Sequence, residues 1–230
     1  AHAIAPEIQL EEAALDAYVV SVVFNRAGDT LYAPAGDGKI YVAAATAPLA
    51  CRAVGVEGAG LVVCAAADHD ALHMLAGTDD GRLLRVAPDG TITEIARSDG
   101  RWIDTVAAHP GTGLRAFSTG KTVRILDADG ADVATLPELV STPSGLAFSP
   151  DGKQLAAARY NGVTVWDVAG GTQVQDLFWR GSHTAVAWSG DGSHIATATQ
   201  DRELHCWRLS DGRDFRMSGY SAKVRSLQWT

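Results

Sequence analysis

Polar and apolar residues alternate in short runs along most of the chain, and the same run order keeps returning. Residues 21–43, SVVFNRAGDTLYAPAGDGKIYVA, pass from an alternating run through a Gly/Asp turn to a second strand-like run, then through another turn to a third. GLAFSPDGKQLAAARYNGVTVWDV at 145–168 and AVAWSGDGSHIATATQDRELHCWRL at 185–209 repeat that order. Two fainter copies lie between them, CAAADHDALHMLAGTDDGRLLRV at 64–86 and VAAHPGTGLRAFSTGKTVRIL at 106–126. A two-residue period places side chains on alternate faces and predicts half-buried strands. The end of each first strand falls at Phe24, Ala66, Ala108, Phe148, Trp188 and Trp229, at intervals of 42, 42, 40, 40 and 41 residues. Ala43, Val86, Leu126, Trp166 and Trp207 mark the third strands at intervals of 43, 40, 40 and 41. Ser-Pro-Asp-Gly at 149–152 and Ser-Gly-Asp-Gly at 189–192 supply the fixed or positive φ that tight turns need. The one helix-like stretch, Leu10 to Ala17, is too short to alter an all-β prediction.

Four short strands every ~40 residues are the pattern of a propeller blade, a small antiparallel sheet repeated around an axis. The spacing predicts five complete blades over roughly 18–58, 61–98, 102–139, 144–179 and 183–220. At Val165-Trp166-Asp167, with FSPDG upstream at 148–152, the chain resembles the WD-repeat family of β-propellers. Only that unit carries the Trp-Asp pair intact, and the 183–220 unit has Trp207-Arg208 instead. The resemblance implies a structural hydrogen-bonded tetrad, for which Thr199, Asp201 and Trp207 have the family's spacing. The family's fourth member is a His after Gly; His183 sits too close to Trp188 for that place, and Tyr220 follows Gly219 where His is usual.

Both ends continue the pattern. EIQLEEA at 7–13 has the position of a fourth, outer strand, and VRSLQWT at 224–230 that of a first strand. Together they predict a ring closed by the two termini, with a sixth blade represented by those two strands. A six-bladed ring needs about 20 further residues and a seven-bladed parent about 60. The expectation is therefore a fragment of a larger, seven-bladed protein, or a ring completed by another chain.

Composition narrows the function classes. With 19 Lys and Arg against 27 Asp and Glu the net charge is −8, which argues against a general nucleic-acid binder, because phosphate neutralisation needs surplus cations. No apolar run approaches the ~18 residues of a membrane span. Cys51, Cys64 and Cys206 are scattered and odd in number, so they predict reduced thiols and a cytoplasmic protein. The chain does not begin with Met, which leaves a mature secreted form as the alternative. The wealth of Ala, Gly and Asp-Gly turns is similar to bacterial WD-repeat proteins.

Catalytic and metal motifs occur only as fragments. Gly120-Lys121-Thr122 ends like a phosphate-binding loop, but Arg115 holds the place of its first Gly and the segment joins two strands. Asp68-His69-Asp70 with His73 carries metal-binding residue types, yet that spacing gathers ligands on a helix, and here a surface turn is predicted. His205 and Cys206 are adjacent and point to opposite faces of a strand. No nucleophile elbow is present. No cofactor, metal or catalytic residue is assigned.

The loops between blades are richer. Arg101 and Trp102, then Trp179, Arg180 and His183, then Tyr220 and Lys223 fall in loops from a fourth strand to the next first strand. Second-to-third turns on the same face add Lys121, Tyr160, Asn161 and Arg202. Trp, Tyr and Arg dominate interface hot spots, so these residues predict a face for a protein or peptide partner. Packing of Trp102 and Trp179 between blades is the competing reading, while Trp166, Trp188, Trp207 and Trp229 are assigned to packing and Asp167, of the Trp-Asp pair, to a structural role. A non-catalytic interaction scaffold follows. The alternative is an enzyme or a small-ligand or metal binder using the central channel, for which Asp104 and His183 would have to face the axis together around a bound ion or small molecule.

Overall fold

The computed structural model describes residues 12–46, 49–55, 58 and 60–229, and every regular element among them is a β-strand. The first sheet holds β1 (Val23–Phe24), β2 (Thr30–Pro34), β3 (Lys39–Ala44) and β4 (Arg52–Gly55). The second holds β5 (Val62–Ala67), β6 (Met74–Thr78), β7 (Arg82–Val86) and β8 (Ile92–Arg97). The third holds β9 (Thr105–Ala108), β10 (Arg115–Thr119), β11 (Thr122–Leu126) and β12 (Asp132–Thr135). In each, neighbours in sequence are antiparallel neighbours in space, so short hairpins suffice to build a sheet. The remaining strands form one six-stranded sheet: β13 (Gly145–Phe148), β14 (Gln154–Asp167), β15 (Thr172–Trp188), β16 (His194–Thr199), β17 (Leu204–Arg208) and β18 (Asp214–Met217).

The core lies between sheets. Leu136 and Ile125 of the third unit pack with Leu155 and Trp166 of the next, and Leu75 and Leu83 pack with Ile103 and Phe117. The second strands are therefore covered on both faces: all five residues of β6 and all five of β10 are buried. That is why small residues crowd there. At Gly77 a β-carbon would come within 2.5 Å of Ile103 and 2.6 Å of the Cys64 sulfur, so only glycine admits this approach. Each large side chain withdrawn from water in these layers contributes about 1.5–3 kcal/mol.

First strands meet in order: β1 touches β5, β5 touches β9, β9 touches β13, and β13 touches β15. Their far ends surround a cleft of about 540 Å³, lined from Arg26 through Ala66, Ala108 and Phe148 to Trp188. Each then enters a turn closed by the same bond, in which the N–H after the strand reaches the carbonyl five residues on. The five pairs are Asn25–Thr30, Asp68–His73, His109–Leu114, Ser149–Gln154 and Ser189–His194, at 2.8–3.0 Å. In the two Asp-Gly turns a hydroxyl tightens the loop, with Ser149 Oγ donating to Asp151 at 2.7 Å and Ser189 Oγ to Asp191 at 2.6 Å. The ~40-residue period is thus a period of turn chemistry as much as of hydrophobicity.

The expected break between units 144–179 and 183–220 is not a loop. β14 folds back on itself at Asn161 (φ 63°) and Gly162 (φ 129°), and the Val168 N–H closes that hairpin on the Lys153 carbonyl at 2.8 Å. β15 then runs unbroken from the outer side of one unit into the inner position of the next. The join is a bulge: Gly181 takes φ 123° and the register shifts, after which Ser182 pairs Tyr160 behind it while His183 pairs Thr199 ahead.

Residues 7–11 of the expected closing strand lie outside the described residues. Residues 223–229 form no strand, because they make no backbone ladder. They keep one element of the repeat: Trp229 Nε1 stands 3.4 Å from the Ala187 carbonyl, just as Trp188 Nε1 donates to the Ala147 carbonyl at 3.0 Å.

Candidate functional site

The loops that enter the first strands and the second-to-third turns share one face, opposite the 540 Å³ cleft. Trp102 is 59% exposed, Tyr160 57% and Tyr220 40%. Arg101, Lys121, Arg180 and Lys223 are exposed beside them. Trp102 and Lys121 belong to the third unit, and Lys121 is tied through its carbonyl to the Leu139 N–H at 3.0 Å. From there a chain of hydrogen bonds crosses the face. The Tyr160 N–H donates to Ser141 Oγ at 3.1 Å, and the Gly181 N–H to Asn161 Oδ1 at 3.1 Å. The Gln200 N–H reaches the Ser182 carbonyl at 2.9 Å, and Arg202 Nη1 the Ser221 carbonyl at 3.4 Å. The loops are cross-linked, so their aromatic groups sit on a braced surface.

Among the described residues, Asn161 and Arg202 are the two non-glycine residues with positive φ, both 63°. Asn tolerates this region through local hydrogen bonding, whereas Arg has no such excuse. Arg202→Gly should therefore leave the thermal midpoint unchanged or slightly raised. A clear drop in a melting curve would instead make the Arg202 side chain part of the framework.

Trp179 and His183 differ from the exposed group. Trp179 is half-buried and stacks on His205, ring centroids 4.0 Å apart. His183 is fully buried, with Nδ1 2.8 Å from Thr197 Oγ1 and Nε2 2.9 Å from the Trp179 carbonyl. His205 is also fully buried, edge-on to Trp207 at 4.4 Å. Its Nε2 lies 3.0 Å from Asp214 Oδ2, but out of hydrogen-bonding alignment, and both ring nitrogens lack a hydrogen bond. Burial depresses the pKa of both rings, to about 4 for His205, where Asp214 only partly offsets the effect. The two histidines are neutral packing groups of this unit.

Of the residues with tetrad spacing, Trp207 is buried, Thr199 Oγ1 points to the Glu203 carbonyl at 3.3 Å, and Asp201 is exposed. The histidine–hydroxyl pair of this unit is His183–Thr197. Trp166 is buried with its Nε1 unpaired, and Asp167 accepts the Gly170 N–H at 2.6 Å. Asp104 accepts the Gly120 N–H at 2.7 Å, with burial raising its pKa. Asp104 and His183 are each held within their own unit.

The turn at 68–73 is not wholly a surface turn. Asp68 is fully buried and takes a two-pronged Arg115, Nε to Oδ1 at 2.7 Å and Nη2 to Oδ2 at 2.9 Å. Arg85 Nε adds a bond at 3.0 Å, and its Nη2 pairs with Asp70, which also holds His73 at 2.8 Å. Arg26 bonds the Asp68 carbonyl at 2.5 Å and the Ala108 carbonyl at 2.7 Å, lashing three units together. Asp68, His69 and Asp70 approach closely enough to hold a cation. Arginines already neutralise both carboxylates, so the cluster is a structural ion-pair network. Its long-range partners, Arg85 and Arg115, carry no local signal in sequence.

Comparison with known proteins agrees with this geometry. Residues 179–208 match the model of the WD domain, G-beta repeat. The chain is 27% identical to the 66 kDa stress protein of Physarum polycephalum over 218 residues, 92% of this chain and 36% of that protein. It is 34% identical to WD repeat-containing protein 1 of Bos taurus over 124 residues, and 35% identical to WD repeat-containing protein 1-A of Xenopus laevis over 140. Those matches cover 47% and 55% of this chain but only 19% and 22% of the relatives. The chain thus spans about a third of the Physarum relative's length and about a fifth of the vertebrate ones'. These relatives are eukaryotic, so the bacterial style of the composition finds no support among them.

Proposed function

We propose that the chain is part of a WD-repeat β-propeller, five blades of it, acting as a non-catalytic scaffold for a protein or peptide partner. WD-repeat domains generally mediate protein–protein interactions and are typically non-enzymatic, which supports the reading at the level of the family. The observation that carries it here is the exposure of Trp102, Tyr160 and Tyr220 on cross-linked loops of one face. Large rigid rings held out into water lose little entropy when a partner covers them. Packing accounts for Trp179 and His183, so they support the face from beneath. Blade-like succession of the first strands around one cleft favours the propeller. A cytoplasmic location and a larger parent ring belong to the same proposal.

The test separates surface from core. Trp102→Ala, Tyr160→Ala and Tyr220→Ala combined should abolish capture of a partner from an extract of the source cells while moving the thermal midpoint by no more than a few degrees. Trp179→Ala alone should lower that midpoint more than the triple variant does, since it unstacks His205. Undiminished capture by the triple variant would sink the assignment of this face.

A further inference from the structure

We propose that the end of this face formed by residues 180–225 takes an acidic protein segment, whose carboxylates are read by Lys223 and Arg225. This rests on the interaction-face reading above and names the chemistry of its partner. A cleft of about 240 Å³ opens between Thr184, at the entry of the inner strand, and Lys223, Val224 and Arg225. Thr184 spends its hydroxyl on the Ala198 carbonyl at 3.3 Å, and Val224 is half-buried, so the floor offers little polarity and the rim offers two cations. A low-dielectric floor under charges of one sign focuses their field on whatever enters.

The cations at this end are also free of carboxylates. Several arginines elsewhere are matched, Arg82 with Asp80 at 2.8 Å, Arg97 with Glu94 at 2.7 Å, and Arg124 with Asp132 at 2.8 Å, while Arg26 and Arg52 bond backbone carbonyls instead. Among the described residues, Arg180, Lys223 and Arg225 enter no ion pair, and Arg202 touches only the Ser221 carbonyl. Of the nearby acids, Glu203 is engaged by Arg216 at 3.6 Å and Asp214 lies against His205, leaving Asp201. Against a net charge of −8 most of the molecule repels an acidic chain, so an acidic segment would be steered to this cluster of unpaired cations. Tyr220 beside the cleft adds a ring for an apolar or aromatic neighbour, and the guanidinium of Arg225 can take a carboxylate in two-pronged fashion.

Three labelled twelve-residue peptides of matched aromatic content, one rich in Glu, one neutral and one rich in Lys, test this by fluorescence anisotropy. The Glu-rich peptide should bind, weakening at least about tenfold on raising the salt from low to physiological strength. Lys223→Glu with Arg225→Glu should weaken it about tenfold or more at an unchanged melting temperature, while Lys153→Glu, on the opposite face, should leave it alone. Equal binding of the neutral peptide, indifference to the charge reversal, or no binding of the Glu-rich peptide overturns the proposal. If the Trp102, Tyr160 and Tyr220 variant still loses its protein partner in any of those cases, the charge assignment falls and the interaction face stands.

Discussion

Replacing Asp68 with asparagine should cost about 3–5 kcal/mol of unfolding free energy, the largest loss expected of any single polar substitution here. The reason is the partner left behind. Arg115 is 1% exposed and donates two bonds to this carboxylate, and Arg85 donates a third. An amide keeps the shape but removes the charge, so Arg115 remains ionised and buried against a neutral group. Burial alone would raise the Asp68 pKa; the hydrogen bonds from Arg115 and the His69 N–H, with the charge of Arg115, hold it below its ordinary value. Stability from this group is therefore present above the ordinary carboxylate range and lost as pH falls through the lowered pKa. Chemical denaturation of Asp68→Asn and of the pair Asp68→Leu, Arg115→Met measures the effect. The double variant should recover much of the loss, because no charge is then stranded. A single variant with wild-type stability would mean that the network contributes nothing.

Acidification from about pH 6.5 to pH 4 should destabilise the protein by on the order of 3 kcal/mol at most, through His205 with His183 beside it. The sign follows from burial. Desolvation lowers the His205 pKa from 6.5 to about 4, with Asp214 opposing and His183 and Arg216 reinforcing. His183 is lowered by desolvation too, with Arg159 reinforcing and its bond to the Trp179 carbonyl opposing. In this window the unfolded chain binds protons that the folded chain refuses, so stability falls as pH falls. His205→Phe keeps a ring stacked on Trp179 and removes the titrating group. Thermal midpoints measured across the window should then lose most of their slope, and an unaltered slope would move the acid sensitivity elsewhere.

The period, the strand class and the turn positions were legible because they are written locally. Ser149 and Ser189 with their following Asp-Gly close turns that need nothing from distant chain. The unbroken β15 was not legible. Arg180-Gly181-Ser182 has the composition of a loop, and only pairing of Ser182 with Tyr160 and of His183 with Thr199 keeps this bulged segment in the sheet. The fate of Asp68 was equally hidden, since its main partner lies 47 residues away. Exposure divided the candidate aromatics in a way that residue type could not. Trp102 and Trp179 look alike in sequence, and the difference is that His205 lies under one of them. Which cations stay unpaired was hidden as well, because it depends on Arg216 of β18 meeting Glu203 just ahead of β17.

The strand that passes from one unit into the next has a kinetic meaning. Sheets joined by loops can open one at a time, because a loop carries no ladder from one to the other. Residues 145–217 share continuous hydrogen bonding through β14 and β15, so fraying that reaches Ser182 removes support from both sides at once. Amide protons of Val163 and Ala196, on either side of the join, should exchange with deuterium through one common opening, whereas those of Ala76 and Ala116 open separately. A protease that waits for exposed backbone would release this span as a single resistant piece.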